Sequence, residues 1–171
     1  MKLTHIKIRP ILETESEEVY RMFQEIPQEE NEATNKAHGL SFDGFQDFCK
    51  KAVLRSKESP QDGHAITITY LIFDGEIPVG FGKFRPIMTE LCVQNRAFHF
   101  AYMIAPKFRG RGYATAFIKF LKNEALKYGL TEIRGTALID NKASCKVMEK
   151  NGGIMEDCSD GEATYVISLI D

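Results

Sequence analysis

The chain has 171 residues, enough for one domain with a real hydrophobic core and short for two. With 43% hydrophobic and 27% charged residues it has the composition of a folded chain, and a formal net charge of −2 offers no basic surplus of the kind a general nucleic-acid binder carries. The alternation of polar and apolar residues from Met1 to Lys7 lacks the apolar core of a signal peptide, and no stretch approaches the ~18 apolar residues of a membrane span, so a cytoplasmic protein with no membrane partner is expected.

Leu3, Ile6 and Ile8 mark a first strand stopped by Pro10. Thr14 or Ser16 then caps a helix with Glu17 and Glu18 in its first turn. Its apolar face is Val19, Met22, Phe23 and Ile26, and Pro27 ends it. Residues 28–40 are polar and read as a loop. A second helix starts near Ser41, with Phe42, Phe45, Phe48, Cys49 and Ala52 on one side. Beyond a polar connection at 56–63 the period becomes extended. Ala65–Phe73 and Ile77–Arg85 pair as a hairpin about Asp74-Gly75. The segment from Arg85 to Arg96 carries no clear pattern, and Ala97–Ile104 is a strong strand.

A glycine-rich loop follows, then a helix to about Tyr128 with Ala114, Phe117, Ile118, Leu121, Ala125 and Tyr128 in its stripe and Gly129 as its stop. Glu132–Leu138 is a strand. Asp140 or Asn141 caps a short helix that ends at Asn151-Gly152-Gly153, and two strands near 154–156 and 163–170 complete the chain. The order predicts a mixed α/β layered domain spanning residues 1–171. Cys49, Cys92, Cys145 and Cys158 show neither Cys-x-x-Cys spacing nor a histidine at zinc-site distance, which predicts reduced thiols and no metal.

The segment richest in chemistry is Ile104-Ala105-Pro106-Lys107-Phe108-Arg109-Gly110-Arg111-Gly112-Tyr113-Ala114-Thr115, which joins a strand to the start of an amphipathic helix. Small residues at 110, 112 and 114 let a ligand approach the backbone. The first helical turn offers free N–H groups and a partial positive charge, a combination suited to phosphate. Lys107, Arg109 and Arg111 add charge. The loop is neither a P-loop nor a dinucleotide fingerprint, because position 115 is Thr where the latter requires Gly.

Arg109-x-x-Gly112-x-Ala114 resembles the Gln/Arg-x-x-Gly-x-Gly/Ala signature of the GNAT acetyltransferases, in the strand–loop–helix setting usual for it. Asn141-x-x-Ser144-x-x-Val147-x-Glu149-Lys150-Asn151-Gly152-Gly153 resembles the second motif of that family. With His99, these segments look like a bacterial subgroup of acetyltransferases, specifically over residues 66–170. The resemblance implies a GNAT fold, α/β with a mostly antiparallel central sheet whose parallel strands splay at the coenzyme A site. It implies acetyl-CoA as cosubstrate, without a metal. Its pyrophosphate would lie on Gly110, Arg111, Gly112, Tyr113, Ala114 and Thr115, near Arg109. The pantetheine arm would run along Tyr102, Met103 and Ile104, with Asn141 and Ser144 across from it. The Ile104 N–H would polarise the acetyl carbonyl.

Acetyl transfer needs a neutral amine, and His99 is the expected base, with a core histidine as the alternative role. The family often places a tyrosine acid seven residues after the second-motif Asn; here that residue is Met148, which cannot donate a proton. Tyr102 and Tyr165 are the substitutes by strand position. The expected function is N-acetylation of a primary amine on a small molecule or peptide. The alternative is a non-catalytic acyl-CoA-binding or sensing module. The resemblance places the acceptor site around the first two helices and the 28–40 loop, and that loop or an exposed edge strand offers a homodimer surface.

Overall fold

A computed structural model describes residues 5–170, which places the expectation for Leu3 outside the described residues. The first strand, β1 (Ile6–Pro10), keeps Pro10 as its last paired residue, opposite Tyr70. Because β1 is an edge strand, the missing N–H of Pro10 costs no ladder bond on an inner strand. Helix α1 (Glu17–Glu25) is capped by Ser16, and Val19, Met22, Phe23 and Ile26 are all buried as their spacing requires.

The 28–40 segment is better ordered than a polar loop. It forms a small hairpin, β2 (Glu29–Glu30) and β3 (Ala33–Thr34), whose turn places Asn31 and Glu32 at positive φ. Asn35, fully buried, fastens it. The Asn35 amide donates to the carbonyls of Phe23 and Ile26 at 2.7 and 3.0 Å, satisfying orphan acceptors at the end of α1. Helix α2 (Phe42–Arg55), capped by Ser41, buries Phe45, Cys49 and Ala52.

Strands β4 (Ile68–Asp74) and β5 (Ile77–Phe84) form the expected hairpin, and a short helix α3 (Glu90–Gln94) occupies the unpatterned stretch. Strand β6 (Phe100–Ile104) begins later than its sequence suggests, leaving His99 outside it. A 3-10 turn (Pro106–Phe108) leads to α4 (Tyr113–Lys127), β7 (Glu132–Leu138), α5 (Lys142–Lys150), β8 (Gly153–Ser159) and β9 (Glu162–Ser168).

The strands form two principal antiparallel sheets, ordered β1-β4-β5-β6 and β7-β9-β8. Two apolar clusters cover the first sheet. One, against α1 and α2, is built on Phe23, Phe45, Phe81 and Met103; the other, against α4, on Phe84, Phe100, Phe117 and Leu121. Three cysteines are buried and Cys158 is exposed, all four as free thiols. Among the described residues no helix is long and apolar enough to cross a membrane.

Candidate active site

The site follows from the way β6 and β7 meet. Each is an edge strand of its own sheet, and they touch at one end only. There the His99 N–H donates to the Arg134 carbonyl at 3.0 Å, and the His99 carbonyl accepts from Arg85 on the other side. The Phe100 ring lies on Gly135, where an added Cβ would stand 2.4 Å from the ring. Beyond this contact the strands part around a cleft of about 520 Å3. Phe100–Ile104 form one wall and Thr136 and Ala137 the other, closed by the starts of α4 and α5.

The antiparallel register fixes what β6 presents to that cleft. Bonds from Arg85 to the His99 carbonyl and from Ala105 to the Val79 carbonyl show that the odd-numbered residues pair with β5. By alternation, the N–H and C=O groups of Phe100, Tyr102 and Ile104 face the cleft. The Ile104 carbonyl accepts from Arg109 Nε at 3.0 Å, which leaves the Ile104 N–H as the donor at that end.

At the same end, α4 starts without a side-chain cap. Its N-cap, Gly112, has φ +92°, a left-handed conformation, and Gly110 is left-handed too. The first-turn amides of α4 therefore open toward the cleft, lined here by Gly110, Gly112, Tyr113, Ala114 and Thr115. The Tyr113 side chain points the other way and donates to Asp74 at 2.6 Å, so its contribution to this wall is backbone. The three loop cations are mostly committed elsewhere. Arg109 makes a two-pronged ion pair with Glu30, Lys107 pairs with Glu25, and Arg111 stacks over Phe108 without lining the cleft. Lys146 and Lys150 of α5 do line it.

Asn141 caps α5 by accepting from the Ser144 N–H, and both residues lie on the cleft wall. The Tyr102 hydroxyl crosses from β6 to Ser144 Oγ at 2.8 Å, and burial holds its pKa above the usual tyrosine value. Met148 is buried one turn farther along the same face of α5. Tyr165 lines neither this cleft nor the one described next; burial, with Cys145 and Glu149 beside it, pushes its hydroxyl up to about 12.

A larger cavity, about 910 Å3, lies against α2, α3 and β5 and shares Phe100–Met103 with the first. The β2–β3 turn hangs over the junction, with Glu32 and Ala33 lining both. Sequence patterning missed this turn, since Asn31-Glu32 lacks the glycine that usually marks such a conformation.

His99 lines neither cavity. Its Nδ1 accepts the Arg134 N–H at 2.9 Å, and burial, with Arg134 nearby, lowers its pKa to about 4. A neutral imidazole that accepts at Nδ1 carries its proton on Nε2, so no free lone pair is left to take a proton. Of the two roles open to it, base and core histidine, the bonds to Arg134 favour the second, with His99 at the joint between the two sheets.

A family model described as an acetyltransferase (GNAT) domain matches residues 5–154. No curated protein matches the chain by sequence. Among solved structures, a Salmonella typhimurium acetyl transferase that modifies the N-terminal serine of a ribosomal subunit protein superposes with a TM-score of 0.66 at 17% identity, over 98% of this chain and 96% of that one. Campylobacter jejuni N-acetyltransferase PseH, in complex with acetyl coenzyme A, gives 0.61 at 17% identity over 95% and 98%. The microcin C7 self-immunity acetyltransferase MccE, in complex with acetyl-CoA and AMP, gives 0.69 at 15% over 98% and 95%.

Proposed function

Since this chain belongs to the GNAT acetyltransferase family, we propose that it transfers the acetyl group of acetyl-CoA to a primary amine of a small molecule or peptide, as a single unit over residues 1–171. The observation that carries the reading is the parting of β6 from β7. It leaves a strand edge of unpaired amides leading to an uncapped helix start, a shape that fits an extended amide-bearing arm ending in a pyrophosphate.

When bound, acetyl-CoA supplies an activated thioester. The chain's own residues do the rest. The backbone of Gly110–Thr115 holds the pyrophosphate, with Lys146 and Lys150 on the α5 side. The β6 edge at Tyr102 and the side-chain NH2 of Asn141 orient the arm, and the Ile104 N–H is placed to stabilise charge on the carbonyl oxygen. Arg109 acts through structure, tying the Ile104 carbonyl and the β2–β3 turn together. No group of three or more metal-ligating side chains occurs among the described residues.

Tyr102 takes the acid role that Met148 cannot. Its hydroxyl reaches α5 one turn from Met148, it stays protonated because burial raises its pKa, and Ser144 holds it. The acceptor enters through the larger cavity, where it meets the β6 wall from the other side. The test is acetyl-CoA turnover against an amine panel, with CoA release and acetylated product measured together. Tight acetyl-CoA binding with no turnover of any amine would instead favour the acyl-CoA-binding module.

A further inference from the structure

We propose that the acceptor amine also carries an anionic group, a carboxylate or a phosphate, held by Lys83 and Arg85 on the floor of the larger cavity. The inference deepens the acetyltransferase reading and rests on it.

Lys83 lies on β5 opposite Ala101 of β6, on the same face as Phe81, and Arg85 follows the end of the strand. Both are half-buried in the cavity wall, while Lys36 and Arg55 are exposed at its mouth. Among the described residues, none of the four has a carboxylate within 4.0 Å. The cavity's acids do not serve them. Of the four acids that line it, Asp62 pairs with His64 at 2.8 Å and Glu162 pairs with Arg96, while Glu32 and Asp160 stand on its wall with no cation within 4.0 Å among the described residues. One guanidinium nitrogen of Arg85 donates to the Phe98 carbonyl at 3.0 Å, which orients the head group, and its other side-chain donors have no acceptor among the described residues.

Half-burying two like charges side by side is unfavourable unless something of opposite sign arrives. Burial and the neighbouring Arg85, Lys36 and Arg55 depress the Lys83 pKa to about 8, the same penalty in another form. A lysine point charge beside an arginine fork is the pairing that recognises carboxylate or phosphate oxygens. A solvated charge cluster without function would sit on the surface rather than on a strand lining a cavity.

The geometry also puts the two ends within reach of one small acceptor. Lys83 is level with Ala101, and the amide placed at the acetyl carbonyl belongs to Ile104, three residues on. At the rise of a β-strand the two backbone positions are roughly 10 Å apart. An amino sugar phosphate or a short amino acid derivative has these dimensions; a polyamine has the wrong charge for that end.

The test titrates CoA-saturated protein by calorimetry with matched amines: an amino sugar and its phosphomonoester, an amino alcohol and the corresponding amino acid, and a polyamine. The anionic member of a pair should bind on the order of tenfold tighter or more. Which pair shows the larger difference identifies phosphate or carboxylate. Lys83→Met and Arg85→Gln should each erase the preference, while acetyl-CoA affinity stays unchanged. Lys83→Gln serves where Lys83→Met fails to fold. Equal binding of the neutral amine or the polyamine overturns the proposal, as does a Lys83→Met/Arg85→Gln double variant that keeps the preference. Wild-type protein that binds the anionic amine but not acetyl-CoA would overturn the transferase reading and support the anion site.

Discussion

The Arg134 N–H donates to Nδ1 of His99 at 2.9 Å, and the His99 N–H returns a bond to the Arg134 carbonyl at 3.0 Å. This reciprocal pair holds the two sheets together at the root of the cleft. His99→Gln retains a hydrogen-bonding side chain but cannot titrate. If His99 is a joint, this variant keeps the acidic limb of the kcat/KM profile where the wild type has it. His99→Ala leaves the Arg134 amide without its partner and should lose about 1–3 kcal/mol of stability. A shift of the acidic limb in His99→Gln would restore His99 as a base.

The same imidazole makes stability depend on pH. Its pKa is about 4 in the folded state against an ordinary 6.5, so the unfolded chain binds more protons between those values. The contribution is complete above about pH 6.5 and is lost as pH falls toward 4, amounting to at most roughly 3 kcal/mol. Denaturant melts of wild type and His99→Gln across this window check it. The wild-type curve should fall more steeply with acid.

Tyr102 and Ser144 test the proton donor. Tyr102→Phe removes the hydroxyl and keeps the ring against Phe117. It should lower kcat by on the order of tenfold to a hundredfold, with little change in acetyl-CoA affinity. Ser144→Ala, which frees the hydroxyl without removing it, should lower kcat less. Solvent isotope effects and a shifted basic limb would accompany a proton-transfer role; a pure packing role would leave both unmoved.

The glycines of the loop separate charge from strain. Gly112→Asp sets a carboxylate at the uncapped start of α4 and should weaken acetyl-CoA binding on the order of a hundredfold or more. Any L-residue there is strained at φ +92°, so Gly110→Ala is the comparison. An added Cβ at Gly110 meets nothing within 4 Å, and the cost is the left-handed backbone alone, about 1 kcal/mol. Equal loss of binding in both variants would mean that loop shape, rather than the phosphate seat, had been disturbed.

The elements that were legible in the sequence are those whose signal is local. Ser16, Ser41 and Asn141 cap helices as their types require, and the stripe of α1 is buried as spaced, as are Phe117, Ile118, Leu121 and Ala125 of α4, while Ala114 is half-buried and Tyr128 exposed. The strand–loop–helix geometry of residues 104–115 was legible because a strand, glycines and a helix start are contiguous. What sequence left open depended on partners far away in the chain. Arg109 looked like a free cation until Glu30, 79 residues away, was placed beside it. His99 was open to a base or a core role until β7 came alongside with the Arg134 N–H. The Tyr102–Ser144 contact joins residues 42 apart, and no periodicity announces it. The cation cluster of the larger cavity draws on α2, β5 and the segment after β3, each of them unremarkable alone.

Lys83 gives the acceptor side a pH dependence of its own. Its pKa of about 8 lies between neutrality and the ordinary lysine value, so its charge is lost over an accessible range. Arg85 and Arg55 stay charged throughout. Lys36 and Lys51, also cations, stand at the mouth, with Asp62, His64, Glu32, Cys92, Arg96, Asp160 and Glu162 on the remaining walls. For an anionic acceptor, KM should therefore rise as pH climbs through about 8, while kcat rises with the neutral fraction of the acceptor amine. A bound anion stabilises the charged lysine, so binding above pH 8 should take up a proton, measurable as a buffer-dependent binding enthalpy. Lys83→Arg keeps the positive charge at every pH in the range and should flatten the KM profile above pH 8 without moving the rise in kcat. A wild-type KM for the anionic acceptor that stays level from pH 7 to 9.5 would remove Lys83 from the acceptor contact.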